Sequence, residues 1–246
     1  MNEYGLIGCP LHHSFSADYF NEKFAREGIA DTTYTLFELQ NIADLPPLLR
    51  LHPEMRGLNV TSPYKQTVMP YLDDCSVEAH RVGAVNCVRC QNGKLIGHNT
   101  DVIGFRNALG LFLGDTMPEQ ALVLGTGGAS LAVQYVLAEY GITYTLISRD
   151  QGKGNYTYDQ LPCEMIANNK LIINTTPLGM YPQIEEAPRL PYAFVSPEHY
   201  LFDLIYNPAL TQFLDYGQQR GAHICNGQAM FIAQAEASWR IWNEAE

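Results

Sequence analysis

Short apolar runs alternate with longer segments of helical periodicity along most of the chain. Apolar runs of about four to eight residues indicate strands, and apolar side chains three or four positions apart indicate helices. The runs predict strands over residues 4–8, 33–39, 57–60, 84–90, 121–124, 143–147, 171–173 and 201–205. The periodicity predicts helices over residues 17–27, 43–51, 64–72, 102–113, 129–140, 209–220 and 230–242. This alternation is typical of an α/β fold with largely parallel sheets.

Two turn signals divide the pattern further. Asn92-Gly93 lies between two short apolar runs, which predicts a β-hairpin. The segment 114–118 is a plausible linker between two strand-helix series. We therefore expect an N-terminal α/β domain over residues 1–101, completed by the C-terminal helix region 226–246. A doubly wound, Rossmann-like domain is expected over residues 102–225.

Composition and charge narrow the class of partner. The chain has 246 residues, 46% of them hydrophobic, and a formal net charge of -11. The acidic balance argues against nucleic acid or an anionic membrane surface as the main partner, but a small anionic ligand is compatible with it. No run of about 18 apolar residues exists, and the first residues lack the pattern of a signal peptide. We expect a cytoplasmic protein, either a monomer or a homodimer.

The six cysteines are scattered, which suits free thiols in a reducing compartment. Cys87 and Cys90 have the spacing of a metal-binding or redox pair, but they lie in a predicted strand. Residues three apart in a strand point to opposite faces, so the two sulfurs would not share a metal. We expect structural cysteines and no metal site.

A glycine-rich turn between a buried strand and a helix is the first candidate site. The apolar strand ending at Leu124 runs into Gly125-Thr126-Gly127-Gly128-Ala129-Ser130. Gly125 permits a tight turn, and Gly127 lets backbone amides approach a pyrophosphate at the N-terminus of the helix. A glycine-rich turn without a ligand is the alternative, because such a motif alone is a weak signal.

The residues after the second strand of this domain bear on the choice of cofactor. Ser148, Arg149 and Asp150 lie where the ribose of a dinucleotide is expected. Arginine beside a hydroxyl favours the 2′-phosphate of NADP, whereas an acid as the sole polar group favours NAD. The sequence favours NADP(H) and leaves NAD open.

Polar side chains also follow the predicted strands of the first half. One segment, Asn59-Val60-Thr61-Ser62-Pro63-Tyr64-Lys65, ends an apolar strand with an amide, a hydroxyl and an amine. Others contribute Ser14 and Ser16, Asn86, and Asp101. Each alone is more often a turn residue or a helix cap, and Asp101 is a candidate N-cap. Together they suit a small polyhydroxylated acid, and a partly desolvated lysine can act as an acid or base.

In these motifs the chain resembles the shikimate dehydrogenases. The resemblance runs through nearly the whole chain and is carried by an ordered series of motifs. They are Ser14-Phe15-Ser16, residues 59–65, Gly83-Ala84-Val85-Asn86, Asn99-Thr100-Asp101, residues 125–130, residues 174–180, residues 203–208 and residues 230–235. The resemblance implies a two-domain enzyme that reduces 3-dehydroshikimate to shikimate with NADPH in aromatic amino acid biosynthesis.

The resemblance also implies a role for each matching residue. Lys65 and Asp101 would form the catalytic pair and titrate together. Ser14 and Ser16 would bind the substrate carboxylate. Substrate hydroxyls would contact Asn59, Thr61, Asn86, Asp101 and Gln234. The cofactor would be held by Gly125, Thr126, Gly127, Gly128, Ala129, Ser148 and Arg149. Thr175, Met180 and Tyr206 would lie on the nicotinamide side, and Tyr206 would also touch substrate.

The chain departs from the family pattern at several positions. Ala17 replaces a common proline, and Leu131 replaces a common arginine, which removes one phosphate contact. Asp150 replaces a threonine near the expected 2′-phosphate, and residues 151–170 form a shorter segment than usual. Two alternatives stay open: a quinate/shikimate dehydrogenase that uses NAD, and a non-catalytic metabolite or nucleotide sensor on the same scaffold.

Overall fold

A computed structural model describes residues 1–11 and 14–244 of the chain. The remaining positions, 12, 13, 245 and 246, lie outside the described residues, and the last two belong to the region 226–246 expected to complete the first domain. Contacts between residues divide the chain into two compact units. Unit 1 comprises Met1–Thr100 and the C-terminal residues from Ala235 onward, and unit 2 comprises Asp101–Gln234.

Both units are α/β. The strands are β1 (Asn2–Gly8), β2 (Thr32–Glu38), β3 (Met55–Val60), β4 (Asp74–Cys75), β5 (Cys87–Gln91), β6 (Lys94–His98), β7 (Gln120–Leu124), β8 (Thr143–Ser148), β9 (Tyr156–Thr157), β10 (Leu171–Asn174), β11 (Tyr200–Asp203) and β12 (His223–Cys225). The α-helices are α1 (Ser16–Glu27), α2 (Leu45–Leu51), α3 (Val77–Val82), α4 (Thr100–Leu113), α5 (Gly128–Glu139), α6 (Cys163–Asn168), α7 (Gln212–Gln219) and α8 (Gln228–Asn243). The predicted α/β class is confirmed.

Unit 1 contains a mixed six-stranded sheet in the order β2-β1-β3-β5-β6-β4. The strand pairs β1/β2, β1/β3 and β4/β6 are parallel, and β5 pairs antiparallel with both β3 and β6. The predicted hairpin joins β5 to β6, with Asn92 and Gly93 at φ 54° and 75°. Positive φ at both positions matches the turn that Asn-Gly favours. Apolar clusters cover the two faces of this sheet.

Cys87 and Cys90 pack on opposite faces of this sheet. Cys87 belongs to the cluster that packs under α1 and α8, whereas Cys90 packs against the cluster on the other face. Burial raises the pKa of the Cys90 thiol to about 12, so this thiol stays protonated near neutral pH. The structure therefore confirms that the two side chains point in opposite directions.

The C-terminal helix is attached to unit 1 by an ion pair with a buried lysine. Lys23 of α1 is 4% exposed and its ammonium lies 2.9 Å from a carboxylate oxygen of Glu236 in α8. Burial alone lowers the pKa of Lys23, but the carboxylates of Glu236 and Glu27 outweigh it and raise the pKa overall. The Trp242 indole adds a hydrogen bond to the carbonyl oxygen of Val88.

Unit 2 contains a six-stranded sheet in the order β12-β11-β10-β7-β8-β9, with every pair parallel. From β7 the chain adds β8 and β9 on one side. It then returns to add β10, β11 and β12 on the other side, so the strand order reverses beside β7. This is the topology of a doubly wound dinucleotide-binding fold, whose ligands bind at the carboxyl ends of the strands beside the reversal. The Rossmann-like prediction is confirmed.

The structure corrects several predicted elements. Residues 64–72 were expected to form a helix, but they form turns and a short 3-10 helix over Met69–Tyr71. The strand expected over residues 84–90 begins only at Cys87, and α7 begins at Gln212 instead of residue 209. The short helices α3 and α6 were not predicted. Among the described residues, no helix has the length and apolarity needed to cross a bilayer.

One buried carboxyl group in unit 2 predicts a pH dependence of stability. Burial raises the pKa of Asp203 from 3.8 to about 7, and hydrogen bonds from Thr211, Ile205 and Asn174 offset this only in part. A raised pKa in the folded state means that stability is fully present below about pH 4 and is lost as the pH rises to 7. We expect the free energy of unfolding, relative to Asp203→Asn, to fall by up to roughly 4 kcal/mol over that range.

Urea unfolding of both proteins at pH 4, 5.5 and 7 measures this difference. Asp115→Asn, at an exposed carboxylate in the same unit, controls for a general charge effect. A difference that stays constant with pH would contradict the expectation. It would mean that the three hydrogen-bond donors keep the Asp203 carboxylate ionised throughout.

Candidate active site

In unit 1, the side chains at the ends of β3 and β6 are joined by a buried hydrogen-bond network. Asn59 is 6% exposed and accepts a hydrogen bond of 2.8 Å from the Tyr34 hydroxyl. Its amide group donates to the carbonyl oxygen of Asn86 at 3.2 Å and to the Ser238 hydroxyl at 2.9 Å. Both amide protons are thus used within the unit. A ligand can therefore contact Asn59 only by donating to its oxygen.

Asn86 is fixed in the same network. It is 3% exposed, and its side-chain oxygen accepts from the backbone N–H of Thr100 at 2.6 Å. Its amide group donates to the Thr100 hydroxyl at 3.0 Å, and that hydroxyl lies 3.0 Å from the Ser238 hydroxyl. Thr100 begins α4, and the next residue in the chain is Asp101. The predicted amides Asn59 and Asn86 are therefore brought together by partners in β2, α4 and α8.

Lys65 follows the turn at the end of β3. The Ser62-Pro63 peptide bond is cis, and Thr61 is anchored by its N–H to the carbonyl oxygen of Ile7 at 2.9 Å. The carbonyl oxygen of Lys65 accepts from the N–H of Val85 at 2.7 Å, which ties its backbone to the residue before Asn86. The Lys65 side chain is half-buried. A backbone hydrogen bond thus connects the segment that carries Lys65 to the segment that carries Asn86.

The two serines stand at the start of α1. The Ser14 hydroxyl accepts from the N–H of Ser16 at 3.3 Å, and both residues are partly exposed. Ser16 is the first residue of the helix, so its backbone N–H belongs to the positive end of α1. The hydroxyls and N–H groups of this segment can donate hydrogen bonds to a carboxylate.

Asp101 lies in unit 2 and is 5% exposed. Because α4 begins at Thr100, Asp101 sits within the first helical turn and not at the N-cap position. A carboxylate in the first turn is favoured by the helix dipole. Of the other predicted substrate residues in unit 2, Tyr206 stacks on Phe231 at a centroid distance of 4.6 Å. The Gln234 side chain donates to the carbonyl oxygen of Phe231 at 3.0 Å.

The glycine-rich turn is tight and leaves open space beside the start of α5. Gly125 has φ +105°, and its N–H donates to the carbonyl oxygen of Ile147 at 2.8 Å. A Cβ atom on Gly125 would lie 2.7 Å from the Thr175 hydroxyl, whereas a Cβ on Gly127 would meet no protein atom within 4 Å. The space beside Gly127 is thus left open at the N-terminus of α5. The open space is compatible with a pyrophosphate at the helix N-terminus. Thr126, Gly128 and Ala129 are the other residues of this turn.

Other side chains hold this turn against the neighbouring strand. The Thr175 hydroxyl donates to the carbonyl oxygen of Leu124 at 2.7 Å, and the Ser130 hydroxyl donates to that of Gly125 at 2.9 Å. Thr175, directly after β10, therefore supports the glycine-rich turn after β7, at the point where the strand order reverses. Met180, five residues further on, is 38% exposed and can contact a ligand.

The residues at the end of β8 and directly after it differ in their access to a ligand. Ser148 is 4% exposed, and its hydroxyl accepts from the N–H of Asp150 at 3.1 Å. The Arg149 side chain is 89% exposed. Lys153 lies 2.8 Å from the Asp150 carboxylate and, with Arg149 at 3.8 Å, holds the pKa of Asp150 below its usual value. Asp150 thus carries its own counterions, and Arg149 is the more exposed of the two cations.

Comparison with known proteins identifies relatives over the full length of the chain. Residues 6–88 match the sequence profile described as the shikimate dehydrogenase substrate binding domain. The shikimate dehydrogenase (NADP(+)) of Clostridium beijerinckii is 37% identical over 261 residues, which cover 100% of this chain and 93% of that relative. The crystal structure of shikimate dehydrogenase from Aquifex aeolicus is 32% identical, with a TM-score of 0.88, covering 100% of this chain and 94% of the other.

A relative with a different activity is also similar. Quinate dehydrogenase from Corynebacterium glutamicum, solved in complex with NAD, is 26% identical, with a TM-score of 0.87. The match covers 100% of this chain and 94% of that one. The similarity in fold therefore extends to enzymes named for either substrate.

Proposed function

This chain belongs to the shikimate dehydrogenase family, and we propose that it catalyses the reversible reduction of 3-dehydroshikimate to shikimate with NADPH. The observation that carries the proposal is the full-length similarity to an enzyme named for this reaction and this cofactor. The buried Asn59–Asn86–Thr100 network and the open turn at Gly127 support it. The first can position a polyhydroxylated ring, and the second can hold a pyrophosphate.

Most of the proposed substrate residues belong to unit 1, and all of the proposed cofactor residues belong to unit 2. Ser14 and Ser16, at the start of α1, bind the substrate carboxylate. Asn59 accepts a hydrogen bond from a ring hydroxyl, because its own amide protons are already donated. Thr61, Asn86, Tyr206 and Gln234 make the remaining polar contacts. The turn at Gly125–Ala129 binds the pyrophosphate and Arg149 the adenosine end, with Thr175 and Met180 toward the nicotinamide.

Lys65 and Asp101 are the proposed catalytic residues. NADPH held by the turn at Gly125–Ala129 would supply a hydride for the carbonyl carbon of the substrate. Negative charge then grows on the carbonyl oxygen, and the Lys65 ammonium stabilises this charge and delivers a proton. Asp101 is the proposed carboxylate of the catalytic pair, and its role is to orient a proton donor.

A second candidate is the oxidation of quinate with NAD. The observation that favours it is Asp150, because a carboxylate after the second strand disfavours a 2′-phosphate. Against it stand the exposed Arg149 and the ion pair between Asp150 and Lys153.

Steady-state oxidation of shikimate and of quinate, each with NADP and with NAD, tests both candidates. We expect kcat/KM to be highest for shikimate with NADP. Comparable values on quinate, or a preference for NAD, would support the second candidate. The absence of turnover with all four pairs would contradict both and would favour a metabolite sensor.

A further inference from the structure

A cavity of about 440 Å³ lies in unit 2, separate from the glycine-rich turn. Its walls come from the residue after β8, from residues 157–159 at the end of β9 and from the loop between β10 and β11. The lining residues are Arg149, Thr157, Tyr158, Asp159, Leu178, Glu186, Ala187 and Arg189. This volume is ordinary for a small-molecule pocket, roughly 300–1,000 Å³, and the location is typical of ligand binding in doubly wound sheets.

Two guanidinium groups line the cavity from different segments. Arg149 follows β8, and Arg189 belongs to the loop between β10 and β11. Both side chains are exposed. Within residues 1–11 and 14–244, Arg149 pairs only weakly with Asp150 at 3.8 Å, and Arg189 forms no ion pair with a carboxylate. The positive charge of Arg189 is therefore available to an anion in the cavity.

A hydroxyl group in the same lining lacks a partner. The Tyr158 oxygen is buried and has no hydrogen-bond partner among the described residues. Burial raises the pKa of Tyr158 to about 12, so the group is a protonated donor near neutral pH. A buried donor without an acceptor costs stability, so such a group is expected where a ligand supplies the acceptor.

Because Arg149 is assigned to the adenosine end and lines this cavity, we propose that Arg189 is a specificity residue for the 2′-phosphate of NADP, acting with Arg149 and Tyr158. The proposal rests on the proposed function and names the residues that discriminate its cofactor. Guanidinium groups bind phosphate through paired, charge-assisted hydrogen bonds. The carboxylates of Asp159 and Glu186 are exposed acceptors in the same lining and suit the amino group of adenine.

The proposal also accounts for the position of Asp150. This carboxylate, which would repel a 2′-phosphate, is engaged by Lys153 at 2.8 Å. Arg189 supplies positive charge from another segment of the chain, after β10. The preference for NADP over NAD is then set by the loop after β10 as well as by the residues after β8.

Calorimetric titration of the full chain with 2′,5′-ADP and with 5′-AMP tests the proposal without catalysis. The two ligands differ only in the 2′-phosphate. We expect Arg189→Gln to raise the Kd for 2′,5′-ADP about 10- to 100-fold and to leave the Kd for 5′-AMP within about twofold. Arg220→Gln, at an exposed arginine directly after α7, is the matched control and should change neither Kd.

Tyr158→Phe is the second variant, because it removes the hydroxyl and keeps the ring. We expect a Kd for 2′,5′-ADP raised by about three- to tenfold and a melting temperature equal to or above that of the natural chain. The proposal is overturned if Arg189→Gln weakens both nucleotides equally, or if it matches Arg220→Gln for both. A Tyr158→Phe variant with unchanged affinity for 2′,5′-ADP overturns the role of Tyr158.

Shikimate oxidation by the natural chain separates this proposal from the proposed function. Turnover with NADP, together with equal affinity for 2′,5′-ADP and 5′-AMP, would overturn the role of Arg189 and leave the proposed function standing. Tight, Arg189-dependent binding of 2′,5′-ADP in a chain that oxidises no shikimate would support the role of Arg189 and contradict the proposed function.

Discussion

Replacing Lys65 by methionine lowers kcat for shikimate oxidation by about 10³-fold and changes the KM for shikimate by less than about threefold. A proton donor that also stabilises charge on the reacting oxygen contributes mainly in the transition state, and losses of 10² to 10⁴ are typical for such groups. Methionine preserves much of the length and apolar stem of lysine, so packing around the half-buried side chain is retained. Steady-state kinetics with saturating NADP measures both constants.

Lys94→Met is the matched control, because Lys94 is an exposed lysine of the same unit at the start of β6. It should leave kcat and KM unchanged. If Lys65→Met instead retains its kcat and only raises the KM for shikimate, Lys65 is a binding residue and takes no part in the chemistry. This outcome would leave the family assignment intact and would move the proton donor elsewhere.

Much of the fold could be predicted because local signals and tertiary structure agree. The strand before Gly125 and the helix after it were both predicted, and the structure places them at β7 and α5. The hairpin at Asn92-Gly93 was equally clear, since both residues tolerate positive φ. In these places a single local conformation satisfies both backbone and packing.

The helix expected over residues 64–72 fails for one local and two tertiary reasons. Its apolar spacing is helical, but Pro70 lacks an N–H and the backbone of Lys65 is bonded to Val85. The Tyr64 hydroxyl also donates to the carbonyl oxygen of Leu39 at 2.5 Å. Contacts with distant segments therefore decide the conformation, and spacing alone does not reveal them.

The residues that support the candidate site were also hidden from sequence reasoning. Asn59 was predicted, but its partners Tyr34 and Ser238 lie 25 and 179 residues away along the chain. Their meeting depends on the strand order and on the docking of α8 in unit 1. Arg189 gave no signal at all, because it stands in a proline-rich loop without a motif. Thr100 offered the one available signal, since it lies inside the motif that ends in Asp101.

Replacing Gly127 by alanine raises the Kd for NADP by about a hundredfold and leaves the free energy of unfolding within about 0.5 kcal/mol. At φ -84° and ψ -176°, Gly127 has a backbone conformation that alanine also adopts, and the added Cβ meets no protein atom within 4 Å. The cost arises only when a pyrophosphate approaches the backbone amides of the turn. Calorimetry with NADP and urea unfolding measure the two quantities on the same preparation.

Gly125→Ala separates a requirement of the ligand from a requirement of the fold. Here φ is +105°, and the new Cβ would lie 2.7 Å from the Thr175 hydroxyl. Backbone strain and overlap should lower the free energy of unfolding by roughly 2–4 kcal/mol as well as weaken NADP binding. If Gly127→Ala binds NADP as tightly as the natural chain, the open space at the start of α5 is not where the pyrophosphate lies. If both variants have the same lowered free energy of unfolding and both keep the Kd for NADP of the natural chain, the glycines of the turn are required for folding alone.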